Sequence, residues 1–367
     1  MMMHAQEWQI KRAKLATLME QRGLHGVLLT RCANLSWITC GGQAHVGLNS
    51  ESAVASVLCT PQGDYLLASH IEMPRMLAEE VPTLPLIPHV FDWFTPAARD
   101  AFVDQVCGAG QWASDVAGAV QSVAGELTAL RVALTADEQV RFATHAQATG
   151  RALEAAARAV QPGMSELEIA GMLSAHIYAA GATPVVALIA ADERIALYRH
   201  PAPTAKRVAQ MVMLVACARR HGLIVSATRL VAFGALDATI ARRAEACAAV
   251  DAAAWHASQP GRRLGAAFGD VVAAYAAHGY ANEWHKHHQG GVTAYENREI
   301  QARPDSTHII DVGQAFAWNP SITGTKSEDT MLITATGAQA LSHTGDWPTI
   351  QVEIEGKSYL RPAILQR

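Results

Sequence analysis

Much of what this chain can be is narrowed by what it lacks. It has no Lys/Arg tract of useful length and a formal net charge of -4, so it offers no basic field to nucleic acid. No apolar run reaches the roughly 18 to 20 residues needed to cross a bilayer, since MVMLVACA stops at Arg219-Arg220. The first fifteen residues, MMMHAQEWQIKRAKL, contain no uninterrupted apolar segment followed by small residues, as a signal peptide would. The expectation is a soluble, cytoplasmic protein with no membrane and no nucleic-acid partner. The six cysteines, at 32, 40, 59, 107, 217 and 247, show no CxxC pair and no zinc-type spacing. They read as small, buried, reduced side chains. A further absence matters most: no Asp or Glu occurs from Met211 to Leu236.

At 367 residues the chain exceeds what one core usually supports, which implies two domains, expected at 1–127 and 128–367. In the first, helical spacing runs from Trp8 to Arg22, followed by the strand-like runs GVLLT and NLSWIT. AVASVLCT and YLLAS then flank the turn Pro61-Gln62-Gly63-Asp64 as a hairpin. An alanine-rich stretch ending at Leu127 closes this part.

The second part begins with a long helix from Thr135 to Val160, broken by Pro162-Gly163. Ser165-Glu166-Leu167-Glu168 has the form of a capping box opening the next helix. Three β-branched runs follow, PVVALIAA, MVMLVACA and LIVSATRLVAF, the last two joined by a hairpin turn at Arg219-Arg220-His221-Gly222. Two helices, about 236–258 and 264–278, precede a return to strands. Paired helices alternating with antiparallel strands indicate an α+β domain with helices on one face of a curved sheet.

The greatest density of reactive groups lies in WHKHHQGGVTAYENRE, from Trp284 to Glu299. It holds three histidines, a Gly-Gly pair, a tyrosine, two glutamates and an arginine. His285 and His287 read as neighbours of the chemistry rather than participants. Trp318 either walls a pocket or belongs to the core.

The order PGMSELEIA, YRHP, a hairpin ending in Thr228-Arg229, two helices, HHQGG, Asn319-Pro320 and Glu328-Asp329 resembles the pita-bread superfamily of methionine aminopeptidase, aminopeptidase P, prolidase and creatinase. The resemblance covers essentially the whole chain and implies a pita-bread domain preceded by a smaller α/β domain of the creatinase type. It implies two divalent ions held by two Asp, one His and two Glu, at positions that here carry Ala216, Ser226, His288, Asn319 and Glu328. Hard divalent cations need several carboxylates, and one carboxylate with one imidazole does not supply them. No metal and no other cofactor is therefore expected.

Creatinase keeps this fold without a metal, and the resemblance places its acid/base histidine at His200. His288 and Glu328 complete the expected catalytic set, Glu328 as a holder of a cationic group or, with a raised pKa, as a general acid. Arg298, Glu296, Tyr198, Asn319 and Ser226 are expected at the substrate. Arg298 would grip a carboxylate in a bidentate way. Tyr295 replaces a His of the peptidase pattern. The implied activity is metal-independent hydrolysis of a C–N bond in a small amino-acid-like molecule. The alternatives are a non-catalytic ligand-binding protein on the same scaffold and a metal-dependent Xaa-Pro aminopeptidase or dipeptidase. The resemblance also implies a homodimer, with Arg31, Asn34 and Trp37 as residues that could reach the partner.

Overall fold

The computed structural model describes residues 2–116 and 121–367, so residues 117–120 of the alanine-rich stretch lie outside the described residues. The chain forms two compact units, Met1–Glu138 with His221–Leu223, and Gln139–Arg220 with Ile224–Arg367.

In the first unit, helix α1 (Met2–Arg22) leads into β1 (Gly26–Arg31), α2 (Cys32–Ile38), β2 (Ser52–Cys59) and β3 (Asp64–Ser69). It continues with α3 (Met73–Arg75), β4 (Ile87–Phe91), α4 (Ala97–Cys107), β5 (Trp112–Ser114), β6 (Gln121–Ser122) and α5 (Ala124–Arg131). One mixed sheet in the order β4-β3-β2-β1-β5-β6 organises the unit. The β2–β3 hairpin is antiparallel as expected. Leu28, Leu58, Leu67, Val103, Cys107 and Trp112 form the core between the sheet and α4.

NLSWIT, expected as a strand, is instead part of α2, with all seven helical residues buried. A short apolar run enclosed on every side has no exposed face to reveal its period. The same burial removes two of the residues expected to reach a partner subunit. Trp37 is fully buried, and Asn34 is held by Asp115 at 3.0 Å. The boundary expected near Leu127 falls inside α5, and the two units part at Glu138, in the first turn of the next helix.

The second unit opens with α6 (Ala136–Ala159) and α7 (Glu166–Ala179), then β7 (Thr183–Ala191), α8 (Glu193–Leu197), β8 (Met211–Arg220) and β9 (Leu223–Ala232). The expected capping box is present at Ser165 and Glu168. His221 and Gly222 join β8 to β9 with φ of 51° and 77°, the backbone of a tight two-residue hairpin turn. Helices α9 (Ala238–Ala257) and α10 (Leu264–Ala277) follow. The remaining strands are β10 (Gly290–Thr293), β11 (Ile300–Gln301), β12 (Ala315–Trp318), β13 (Ser321–Ile322), β14 (Thr325–Lys326), β15 (Asp329–Thr334), β16 (Gly337–Ala340), β17 (Thr349–Ile354), β18 (Lys357–Pro362) and β19 (Leu365–Gln366).

Two sheets carry this unit, one ordered β19-β9-β8-β7 and one ordered β11-β10-β12-β15-β16. Aliphatic residues from α6 and α7, among them Leu153, Ile169 and Leu173, pack on Leu214, Ala216 and Val231 of the first sheet. This is the expected α+β arrangement, and both sheets contribute to the site. All six cysteines are buried and free, in keeping with a structural role. Among the described residues, no helix is long and apolar enough to cross a membrane.

Candidate active site

One end of the five-stranded sheet assembles the site. Gly290 of β10 pairs with Trp318 of β12, and Trp318 pairs with Asp329 of β15. His288, Asn319 and Glu328 flank those three residues and so come to the same end. The Gly-Gly pair makes this approach possible. A Cβ on Gly290 would lie 2.1 Å from the Ala317 carbonyl oxygen, and one on Gly291 2.1 Å from that of Ile300. The histidine loop is tied down from beneath: the Tyr275 hydroxyl donates to Gln289 Oε1 at 2.8 Å, and Gln289 Nε2 donates to the His287 carbonyl at 2.6 Å.

Glu328 is buried and saturated by protein donors. Arg298 Nη2 reaches Oε1 at 3.0 Å, while Lys326 Nζ and Thr228 Oγ1 each reach Oε2 at 2.7 Å. Burial alone would raise its pKa, but Lys326 and Arg298 outweigh that and bring it down to about 2. The expectation of a raised pKa and a general-acid role is thereby corrected: Glu328 is a fixed anion between two fixed cations. Lys326 was not singled out in the sequence. Its signal was available, because residues two apart on an extended segment share a face.

The other implied metal-ligand positions are neutral and buried: Ala216, Ser226 and Asn319. Ser226 Oγ lies 3.2 Å from Cys217 Sγ and accepts from Arg298 Nη1 at 3.3 Å. Asn319 donates its backbone N–H to the Gln289 carbonyl at 3.0 Å and keeps a buried Oδ1 without a hydrogen-bond partner. A two-ion centre does not fit this set, since its single carboxylate is already neutralised by an ammonium and a guanidinium.

Three histidines converge beside the ion cluster. His287 Nε2 and His200 Nε2 are 3.0 Å apart, and each residue of the set His200, His287 and His288 offers a ring nitrogen within 4.8 Å of the others'. His287, expected to be a bystander, is buried within the group, whereas His285 stacks on Trp284 at 3.6 Å between ring centroids. Burial first, then Lys326 and its neighbouring histidines, lowers the His287 pKa to about 2. Burial and then Arg298 lower that of His288 to about 4, and burial followed by Lys326 also lowers that of His200. All three imidazoles are neutral at pH 7. The Nδ1 atoms of His287 and His288 are buried without a hydrogen-bond partner.

The remaining expected residues divide. Tyr198 is half exposed, with the Arg194 guanidinium 5.3 Å from its ring centroid, and it lines a small cavity with Arg199, His287, Ser321 and Lys326. Arg199 is bound to Glu283 at 2.8 Å and Thr323 at 3.0 Å. Glu296 sits in the turn after β10, its backbone N–H donated to Glu299 at 3.2 Å. Trp318 is core: it is fully buried and its indole N–H donates to Ser258 at 2.9 Å. The Cys217 thiol is not activated at this site, since burial and then Glu328 raise its pKa.

Residues 141–335 match the family model for metallopeptidase family M24. Comparison of the sequence with curated proteins finds no match. Solved structures similar to this chain include the prolidase of Pyrococcus horikoshii OT3, at 19% identity and a TM-score of 0.79, covering 91% of this chain and 98% of that one. The Xaa-Pro dipeptidase of Bacillus anthracis superposes at 16% identity and a TM-score of 0.78, covering 98% and 100%. The N-terminal domain of the FACT complex subunit SPT16 from chickpea (Cicer arietinum) does so at 12% identity and a TM-score of 0.72, covering 92% and 97%. At such identities the likeness is one of fold.

Proposed function

The chain belongs to metallopeptidase family M24, with the pita-bread fold, and from that footing we propose that it is a metal-independent, creatinase-like hydrolase of a C–N bond in a small amino-acid-like substrate. The observation that carries the proposal is the saturation of Glu328 by Lys326, Arg298 and Thr228 where a metal ligand would stand. Two fixed side-chain cations supply positive charge there without an ion.

In this reading His200, the most exposed of the three histidines, takes a proton from water as its oxygen adds to the scissile carbon, then returns it to the departing nitrogen. Neutral His287, 3.0 Å away, holds the His200 ring by hydrogen bonding. Arg298 and Lys326, oriented by Glu328, are available to an anionic group of substrate or to charge developing on it.

The expected outcome is that His200→Ala lowers kcat by at least about 100-fold, the scale of one lost acid/base group, while EDTA leaves turnover unchanged. Steady-state kinetics on a panel of small amides and guanidino acids measures both. Loss of activity in EDTA, with recovery in Mn(II) or Co(II), would instead establish the metal-dependent Xaa-Pro peptidase reading suggested by the names of the structural neighbours. A ligand-binding role on the same scaffold is favoured by one observation, a Cys217 thiol whose pKa is raised rather than lowered. It predicts that a ligand found by thermal shift is recovered chemically unchanged. We also propose that the chain is a homodimer. Light scattering should give about twice the 39.2 kDa chain mass, and a monomer across the micromolar range overturns this.

A further inference from the structure

We propose that His200, His287 and His288 form a binding site for one borderline transition-metal ion, zinc foremost, and that the ion inhibits turnover rather than supporting it. The site differs from the two-ion centre excluded above. It draws on imidazoles alone, and two of them, His200 and His287, stand where no metal ligand was expected.

The geometry is close to a ligand set already. Zinc–imidazole bonds of about 2.0–2.1 Å place neighbouring nitrogens of a tetrahedral site about 3.3 Å apart. The Nε2 atoms of His200 and His287 are 3.0 Å apart, so an ion would take the place of the proton they share. A nitrogen of His288 completes three within 4.8 Å, a spread that small ring rotations close. His287 is more than nine-tenths buried, which fixes its ring with Nε2 facing His200. His200 is exposed, which gives an ion a route in and leaves a fourth position to water.

The donor type selects the ion. Imidazole suits zinc, copper and nickel, whereas magnesium, calcium and manganese prefer oxygen ligands, which the three rings do not offer. Lys326 and Arg298 oppose a dication here and Glu328 offsets only one of them, so binding is weaker than in a closed structural zinc site and reversible. The inhibitory half rests on the reading of His200 as the proton-transfer group, because an imidazole coordinated through Nε2 carries its one ring proton on Nδ1 and has no basic nitrogen left. The binding half does not.

Isothermal titration of the EDTA-treated full chain with zinc chloride should show one ion per chain, and cobalt(II) should give the visible absorption of a tetrahedral nitrogen site. His287→Ala should weaken zinc binding at least tenfold. His200→Ala should do the same and, being a surface change, keeps the test valid if the buried variant does not fold. Glu328→Gln should leave the stoichiometry at one. No binding at millimolar zinc, binding indifferent to both histidine changes, or loss of the ion in Glu328→Gln alone would overturn the site. Zinc should also inhibit turnover, with EDTA restoring it. An ion that binds with this stoichiometry and leaves turnover unchanged or raises it overturns the inhibitory half, and with it the role assigned to His200, while the site stands.

Discussion

At the scale of single residues, the site is governed by side chains that hold one protonation state. His287 and His288 have pKa values lowered to about 2 and about 4 in the native protein, against an ordinary 6.5 when unfolded. The unfolded chain therefore takes up protons below about pH 6.5 that the native one refuses, and native stability must fall as the pH drops. His288 stops contributing near pH 4, while His287 continues toward pH 2. Glu328, lowered to about 2 from 4.5, adds stability above about pH 4.5 that is lost as the pH falls through 2, so it acts in a lower window. Thermal melting between pH 7 and 4 should show a declining Tm that flattens in His287→Asn. An unchanged profile in that variant would place the titration elsewhere. His200, His288 and Glu328 were legible in the sequence as residue types on family positions, and Arg298 as a guanidinium in the same reactive stretch. Lys326 was legible too, two residues from Glu328 on an extended segment, whereas the part played by His287 was not, because what defines it is a 3.0 Å ring contact made across the chain.

At the scale of elements, the Gly-Gly pair explains how β10 comes to lie where it does. Its backbone passes so close to β12 and β11 that a methyl group at either glycine would meet a carbonyl oxygen at 2.1 Å, and both residues have positive φ, +100° and +144°. Gly290→Ala should accordingly cost about 2–4 kcal/mol, combining backbone strain with displacement of a packed strand. Urea denaturation checks this, and a change under about 0.5 kcal/mol would mean that the strands can separate freely. Elements with a periodic exposed face or a defined cap were readable in advance, as α6 and the Ser165 capping box show. Helix α2 was not, because its seven residues are buried all round and its apolar run carries no period. The dimer-reaching role given to Asn34 and Trp37 was lost with that element.

At the scale of the whole molecule, the family name and the site point in different directions. The order of motifs identifies the scaffold along nearly its full length, while the chemistry depends on a few positions at one end of one sheet. Returning carboxylates to the three neutral positions, as Ala216→Asp, Ser226→Asp and Asn319→Glu together, should not regenerate a two-ion enzyme. Elemental analysis should find fewer than two ions per chain and melting should show lost stability, whereas two tightly held ions would overturn this account. The cause is the Lys326–Glu328–Arg298 cluster, whose cations occupy the charge balance that ions would need. Each carboxylate added alone is a buried, desolvated charge that costs stability before any ion can reward it. Removing Lys326 or Arg298 first leaves Glu328 buried with less compensation. Seen as a path through sequence space, the site lies in a valley from which each single step toward a two-ion carboxylate set leads uphill.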